Sequence, residues 1–211
     1  MGSNIKTDKT RTSFHVALTG GIASGKTMVS EAFKDLGADI IDTDEIAHTI
    51  TESGKDALKE ITIEFGEEFL KEDGNLDRHL MRQTIFKDPS KRLLLESIIH
   101  PKIHYQVQRE LSIASGIYQI IVVPLLTKSP LRNKVDRVLV VDCDETTQIQ
   151  RLKKRDGESD DLAKKIIASQ SSRGERMAIA DDIIKNNQDF KETLVQIKQL
   201  NKKYIELSTK Q

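Results

Sequence analysis

Apolar and polar positions follow two rhythms along this chain. Phe14 to Thr19 (FHVALT) is short, rich in β-formers and runs straight into glycines, the pattern of a buried strand entering a turn. From Lys26 to Leu36 the apolar residues Val29, Ala32, Phe33 and Leu36 recur at helical spacing, and Gly37 stands where a C-terminal cap belongs. Ala38 to Asp42 (ADIID) predicts a second strand, YQIIVVPLL from Tyr118 and RVLVVDC from Arg137 two more, and DDIIKNN from Asp181 a fifth. Runs so nearly continuous in apolar residues suit strands covered on both faces of a parallel sheet. With helical segments between them, the class is α/β: a mostly parallel five-stranded sheet flanked by helices.

Between about Ile46 and Gly116 the strand rhythm is missing. Asp77 and Asp88-Pro89 read as helix starts, through a capping side chain and a proline in the first turn. His100-Pro101 predicts a helix boundary, because a proline disfavours helical backbone in the residue before it. This stretch is too long for one crossover, so residues 49–116 are expected to be an inserted helical subdomain within a core of 14–48 and 117–211.

Composition narrows the classes. Lys plus Arg and Asp plus Glu both number 33, so no global positive field exists to recruit nucleic acid or an anionic membrane surface. The longest apolar run, Ile120 to Leu126, is far short of the roughly 20 residues of a membrane span. A single cysteine, Cys143, excludes an internal disulfide, and with no secretory leader in view a cytoplasmic location is expected. Cys143 itself reads as a small buried apolar residue. Residues 1–13 are polar and without period, the pattern of a disordered tail. His15, His48, His79 and His104 lack metal-site spacing. The sequence leaves the oligomeric state open, and a monomer is the working expectation.

Gly20-Gly21-Ile22-Ala23-Ser24-Gly25-Lys26-Thr27 fits G-x-x-x-x-G-K-[ST] and lies between a predicted strand and a predicted helix. Glycines let the backbone turn so that successive N–H groups and the helix N-terminus face an anion. Gly21, Ile22, Ala23, Ser24, Gly25, Lys26 and Thr27 are therefore the candidate ATP-binding residues. Lys26 adds a full charge, and Thr27 can place a hydroxyl on Mg²⁺.

The rest of the chain selects among such loops. No D-x-x-G follows a later strand, and Pro124 stands where a motor would need an acidic residue. Asp42-Thr43-Asp44 instead ends the second strand, where an open parallel sheet delivers side chains to its ligand rim. One carboxylate can orient an acceptor hydroxyl and take its proton while the other holds metal-bound water. Either could instead cap the following helix. Arg151, Lys153, Lys154, Arg155, Lys164, Lys165, Arg173 and Arg176 crowd 151–181, a candidate lid whose cations close over the reacting phosphates.

In order along the chain, the phosphate loop, Asp42-Thr43-Asp44, Phe65-Gly66, Gly74-x-Leu76-Asp77-Arg78, Leu95-Glu96, His100-Pro101, Val123-Pro124-Leu125-Leu126, Arg155-Asp156, Gln170, Ala180-Asp181 and Asn186 resemble the landmarks of the dephospho-coenzyme A kinases. The resemblance spans Phe14 to Asn187. It implies a P-loop kinase core with a helical acceptor-binding insert, using ATP and Mg²⁺ to phosphorylate the ribose 3′-hydroxyl of dephospho-coenzyme A. It implies Lys26, Asp44 and Arg155 as the catalytic group, with Asp44 as base, and Thr27 and Asp42 toward the metal. Asn186 joins the nucleotide residues, and Thr19, Asp44, Arg78 and His100 would meet the acceptor. Three positions depart from that pattern: Lys128 in place of a glutamate, His48 in place of an arginine and Lys165 in place of a lid arginine. A nucleoside-monophosphate or sugar kinase, or a nucleotide-sensing binding protein, are the rival readings.

Overall fold

The strand Phe14–Gly20 (β1) is buried at every residue and leads through the glycine turn into the helix Lys26–Asp35 (α1). The structure, a computed structural model, describes residues 13–210 except Glu158 and Gln188, with the main chain alone at Lys128. Residues 1–12 of the expected tail, and the side chain of Lys128, lie outside the described residues.

Contacts divide the chain into two units, residues 1–41 with 114–211 and residues 42–113. The first holds α1, the strands Asp39–Asp42 (β2, whose last residue opens the second unit), Tyr118–Val122 (β3), Arg137–Asp142 (β4) and Asp182–Lys185 (β5), and the helices described below. The sheet order is β2-β3-β1-β4-β5, so the first strand in sequence is central in space. β1 pairs in parallel with β3 and β4, and β4 in parallel with β5. The connection from β1 runs through α1 to β2 on one side of it, while that from β3 crosses to β4 on its other side, which makes the C-terminal end of β1 the switch point where open α/β sheets bind ligands. Phe14, Val16 and Leu18 of β1 share a core with Val29 and Phe33 of α1, and with Ile197 and Tyr204 of the C-terminal helix Phe190–Ser208. Each fully buried aliphatic or aromatic side chain here contributes about 1.5–3 kcal/mol. Three short helices, Glu145–Asp156, Asp160–Ala168 and Arg173–Ala178, lie between β4 and β5.

At the opposite, N-terminal edge of the sheet, buried Asp182 gathers four donors. Arg137 Nε and Nη2 donate to it at 2.6 and 3.2 Å, Lys203 Nζ at 2.5 Å and the Tyr204 hydroxyl at 3.1 Å. The same edge disposes of a sequence coincidence. Asn133-Lys134-Val135-Asp136 spells the N-K-x-D of guanine readers, but it precedes β4 instead of following a strand. Its aspartate accepts the His15 amide at 2.7 Å and returns its own amide to the His15 carbonyl at 2.8 Å, tying β1 to the start of β4.

The second unit is helical: Thr43–Ile50 (α2), Asp56–Phe65 (α3), Arg78–Lys87 (α4) and Pro89–Ile113 (α5). Leu58, Ile61, Phe65, Phe69, Leu76, Met81, Leu95 and Ile98 form its core, with Phe65 and Phe69 edge to face at 5.6 Å. It begins at Asp42, ahead of the expected start at residue 49, because α2 packs on α3 and α5. Asp77 caps α4 through the His79 and Leu80 amides, and Asp88 caps α5 with Pro89 in the first turn. The boundary expected at His100-Pro101 is absent, since α5 runs through Pro101. Helical backbone before a proline is disfavoured but not forbidden. Burial of Leu95 and Ile98 before it and Val107 after it holds both halves in helical register.

Candidate functional site

The phosphate loop takes its shape from two residues with positive φ, Ala23 (56°) and Gly25 (95°). The Ser24 amide donates to the Gly21 carbonyl at 3.2 Å, closing the turn, and Gly25 forms the N-cap of α1 without any capping side chain. The helix therefore starts with amides turned to whatever sits in front of it, where its dipole favours an anion. Lys26 Nζ donates to the carbonyls of Gly20 and Gly21 at 2.9 and 3.1 Å, so its ammonium lies over the loop. Thr27 is exposed at the first turn of α1. The Ser24 hydroxyl is buried with no hydrogen-bond partner among the described residues, a polar atom that a polar ligand could satisfy.

Side chains from far along the chain grip the outside of the loop. We number the three helices between β4 and β5 as α6 (Glu145–Asp156), α7 (Asp160–Ala168) and α8 (Arg173–Ala178), and the C-terminal helix as α9. Gln148 Nε2 on α6 donates to the Ile22 carbonyl at 2.6 Å. Arg151 Nη1 donates to the carbonyls of Ala23 and Ser24, both at 3.3 Å, and its Nη2 to that of Asn186 at 2.9 Å. Asn186 is buried, donates from Nδ2 to the Ser24 carbonyl at 2.7 Å and accepts the Thr193 hydroxyl at 3.1 Å. Among nucleotide candidates, Asn186 thus braces the loop through its outer side. Gln170 Oε1 accepts the Ile22 amide at 2.8 Å.

The glycines fit this packing. A β-carbon at Gly20 would come within 2.5 Å of the Val141 carbonyl, and one at Gly25 would strike the Asn186 amide in a backbone region that favours glycine. Gly25→Ala is expected to keep the sheet but weaken ATP binding about 5- to 150-fold, since a strained residue and a displaced Asn186 act together, on the order of 1–3 kcal/mol. Titration calorimetry with ATP checks it; unchanged affinity would mean the loop tolerates another shape.

The lid candidates fall into two kinds. Arg155 is exposed and bidentate to Asp156 at 2.7 and 2.8 Å, and Lys165 is exposed on α7. Arg151 is occupied on the loop, and Arg173 is bidentate to the buried Asp142 at 2.8 and 2.7 Å, fastening α8 to the end of β4. Arg176 is 9% exposed, bonds the Ser171 carbonyl and lies beside Gly21; burial lowers its pKa from the ordinary value, opposed by Asp142. Thr19 is buried and donates to the Pro124 carbonyl at 3.3 Å, in a tight recess that Arg176 also lines. Cys143 is buried and burial pushes its thiol up, which suits a packing residue.

In the helical unit, Asp42 Oδ1 caps α2 by accepting the Asp44 and Glu45 amides at 2.8 and 3.4 Å. Asp44 is exposed in the first turn of that helix. Arg78 Nη2 donates to the Thr51 hydroxyl at 2.6 Å and the His48 carbonyl at 3.1 Å, tying the start of α4 to the end of α2; burial lowers its pKa, opposed by Glu52. The His48 and His100 side chains are exposed, His100 on α5. Sequence reading missed Gln148 and grouped Arg151 with mobile cations. Their spacing of three on α6, one helical turn, is the signal that puts both on the loop-facing side.

The family model described as dephospho-CoA kinase matches residues 14–192. The chain belongs to the dephospho-CoA kinase family. A Burkholderia pseudomallei relative named dephospho-CoA kinase is 48% identical over 195 residues, covering 92% of this chain and 96% of its own. A solved dephospho-CoA kinase from Campylobacter jejuni superposes with a TM-score of 0.66 at 25% identity, covering 91% of this chain and 97% of its own. A Thermus thermophilus structure reaches 0.81 at 23% identity over 89% of this chain and 95% of its own, a likeness of fold. The phosphate loop and Asp42-Thr43-Asp44 both lie inside the matched span.

Proposed function

We propose that this chain transfers the γ-phosphoryl group of ATP to the ribose 3′-hydroxyl of dephospho-coenzyme A, giving coenzyme A and ADP. The observation that carries the reading is the phosphate loop, an anion cradle at a helix N-terminus with an ammonium over it, in a chain of this family. Amides of the loop bind the terminal phosphates, and Lys26 leaves its carbonyl contacts to neutralise charge on the leaving γ-phosphoryl. Asp44 orients the acceptor hydroxyl and takes its proton. Asp42 is the weaker candidate for base, because one of its oxygens already serves two amides of α2. Arg155 leaves Asp156 to meet the transferring group as the part of the lid that carries it closes, excluding water, while Arg151 and Arg173 keep their contacts. Gly21, Asn186 and their neighbours hold the nucleotide, and Thr19, Arg78 and His100 the acceptor.

The exposed Thr27 hydroxyl is a hard oxygen donor of the kind Mg²⁺ selects, and so is the Asp42 carboxylate, so the chemistry of each residue suits the ion. Bound with nucleotide, the ion would offset phosphate charge. No described helix is long and apolar enough to cross a membrane, and we place the protein in the cytoplasm as a monomer with no nucleic-acid partner.

Incubation with ATP, Mg²⁺ and a panel of acceptors tests the reading. ADP is expected to form quickly with dephospho-coenzyme A alone. Turnover of a nucleoside monophosphate or a sugar instead, or tight ATP binding with no turnover on any acceptor, would replace it.

A further inference from the structure

The phosphate loop is gripped on its carbonyl side by Asn186 and by two residues that the reaction as set out above does not use, Gln148 and Arg151. Every described peptide in it is trans, and in a trans peptide the N–H points opposite to the carbonyl of the same unit. Holding the carbonyls of Ile22, Ala23 and Ser24 therefore sets the directions of the Ala23, Ser24 and Gly25 amides. Gln148 holds the first carbonyl, Arg151 the second, and Arg151 with Asn186 the third. The Ser24 amide closes the turn onto Gly21; by the trans geometry, those of Ala23 and Gly25 point away from the side chains that hold the Ile22 and Ser24 carbonyls. Ala23 is the residue that most needs such restraint. It is the one non-glycine residue with positive φ among those described, and the carbonyls on both sides of it are held.

We propose that Gln148 and Arg151 are positioning residues for phosphate binding: from α6 they fix the peptide planes of the loop so that its inward amides are aimed before nucleotide arrives. The inference rests on the loop being the ATP site. Preset amides bind without the cost of ordering them, and they serve a developing charge best when they need not reorient. Arg151 suits this task because its forked guanidinium spans three carbonyls, of Ala23, Ser24 and Asn186. Its second arm also locks the segment after β5 to the loop. This differs from the expectation of Arg151 as a mobile lid cation, in which its charge would act directly on the phosphates.

Inorganic tripolyphosphate, which has phosphates but no base or sugar, separates the two. Gln148→Met, Arg151→Met and Arg151→Lys are compared with the unsubstituted protein by calorimetry, with ATP and with tripolyphosphate, each with Mg²⁺. All three are expected to weaken both ligands by the same factor, about tenfold for a lost restraint of one or two hydrogen bonds. The KM for dephospho-coenzyme A should stay within about twofold, a split that general loosening of the fold would not give. Arg151→Lys carries the charge without the fork and should remain impaired. Full affinity in Arg151→Lys would make the residue a simple phosphate charge and overturn the proposal, as would unchanged tripolyphosphate binding in Gln148→Met. Should the ATP-site reading itself be wrong, Lys26→Ala would bind ATP as the unsubstituted protein does. That outcome is distinct, because the clasp variants alone leave Lys26 in place.

Discussion

Asp44→Asn is expected to lower turnover by about 10²- to 10⁴-fold, the range over which a positioned general base contributes. Asparagine keeps the shape and still suits the first turn of α2, where Asp42 supplies the cap. The negative charge and the capacity to accept a proton are lost. ATP affinity should change by no more than about twofold, as for a substitution away from the binding groups. Single-turnover phosphoryl transfer, measured with saturating ATP and dephospho-coenzyme A, checks the prediction. Near-normal turnover would move the role of base to Asp42, and Asp42→Asn would then show the larger loss.

Asp182→Ala should be the most destabilising single change at the far end of the sheet. Burial alone would raise the Asp182 pKa, but the bonds from Arg137 and Lys203 outweigh it and hold the carboxyl below its ordinary value. Removing it leaves Arg137, Lys203 and the buried Tyr204 hydroxyl without their shared acceptor. Breaking a buried pair in this way costs about 3–5 kcal/mol. The lower end applies here, because the Lys203 side chain is 43% exposed and water screens its share. About 3 kcal/mol corresponds to a fall of roughly 6–12 °C in melting temperature for a chain of this size. A group with a depressed folded pKa stabilises fully above its unfolded value, about 3.9, and loses that contribution as the pH falls through the folded value. The gap in stability between the protein and the variant should therefore be wide at pH 7 and narrow toward pH 3. Urea unfolding at the two values measures it, and a gap independent of pH would mean that the carboxylate charge is not what Arg137 and Lys203 hold.

The sequence disclosed most where local chemistry decides the structure. The strand, glycine turn and helix around Gly20 to Thr27 were legible because periodicity and glycine placement are properties of neighbouring residues, and Asp77 and Asp88 announced their helices by capping. Pro101 misled because its local preference yields to the packing of Leu95, Ile98 and Val107, which the sequence does not display. The N-K-x-D letters at Asn133 illustrate the converse, a motif without its context. The clasp on the phosphate loop could not be read at all as a contact. Gln148 and Asn186 are separated from the carbonyls they hold by 126 and 162 residues, and nothing in either residue type names its partner.

The central place of β1 also governs when the protein can work. Its partners are Tyr118 onward on one side and Arg137 onward on the other, so β1 waits for about a hundred residues before it has any neighbour to pair with. At synthesis rates of roughly 5–20 residues per second that interval is about 5–20 seconds. During it the apolar residues of β1 lack their sheet, while the helical unit of residues 42–113, whose contacts are local, can already condense on the ribosome. A nascent chain thus becomes competent to hold nucleotide late, when α6 and the segment after β5 have emerged and closed around a loop made well before them.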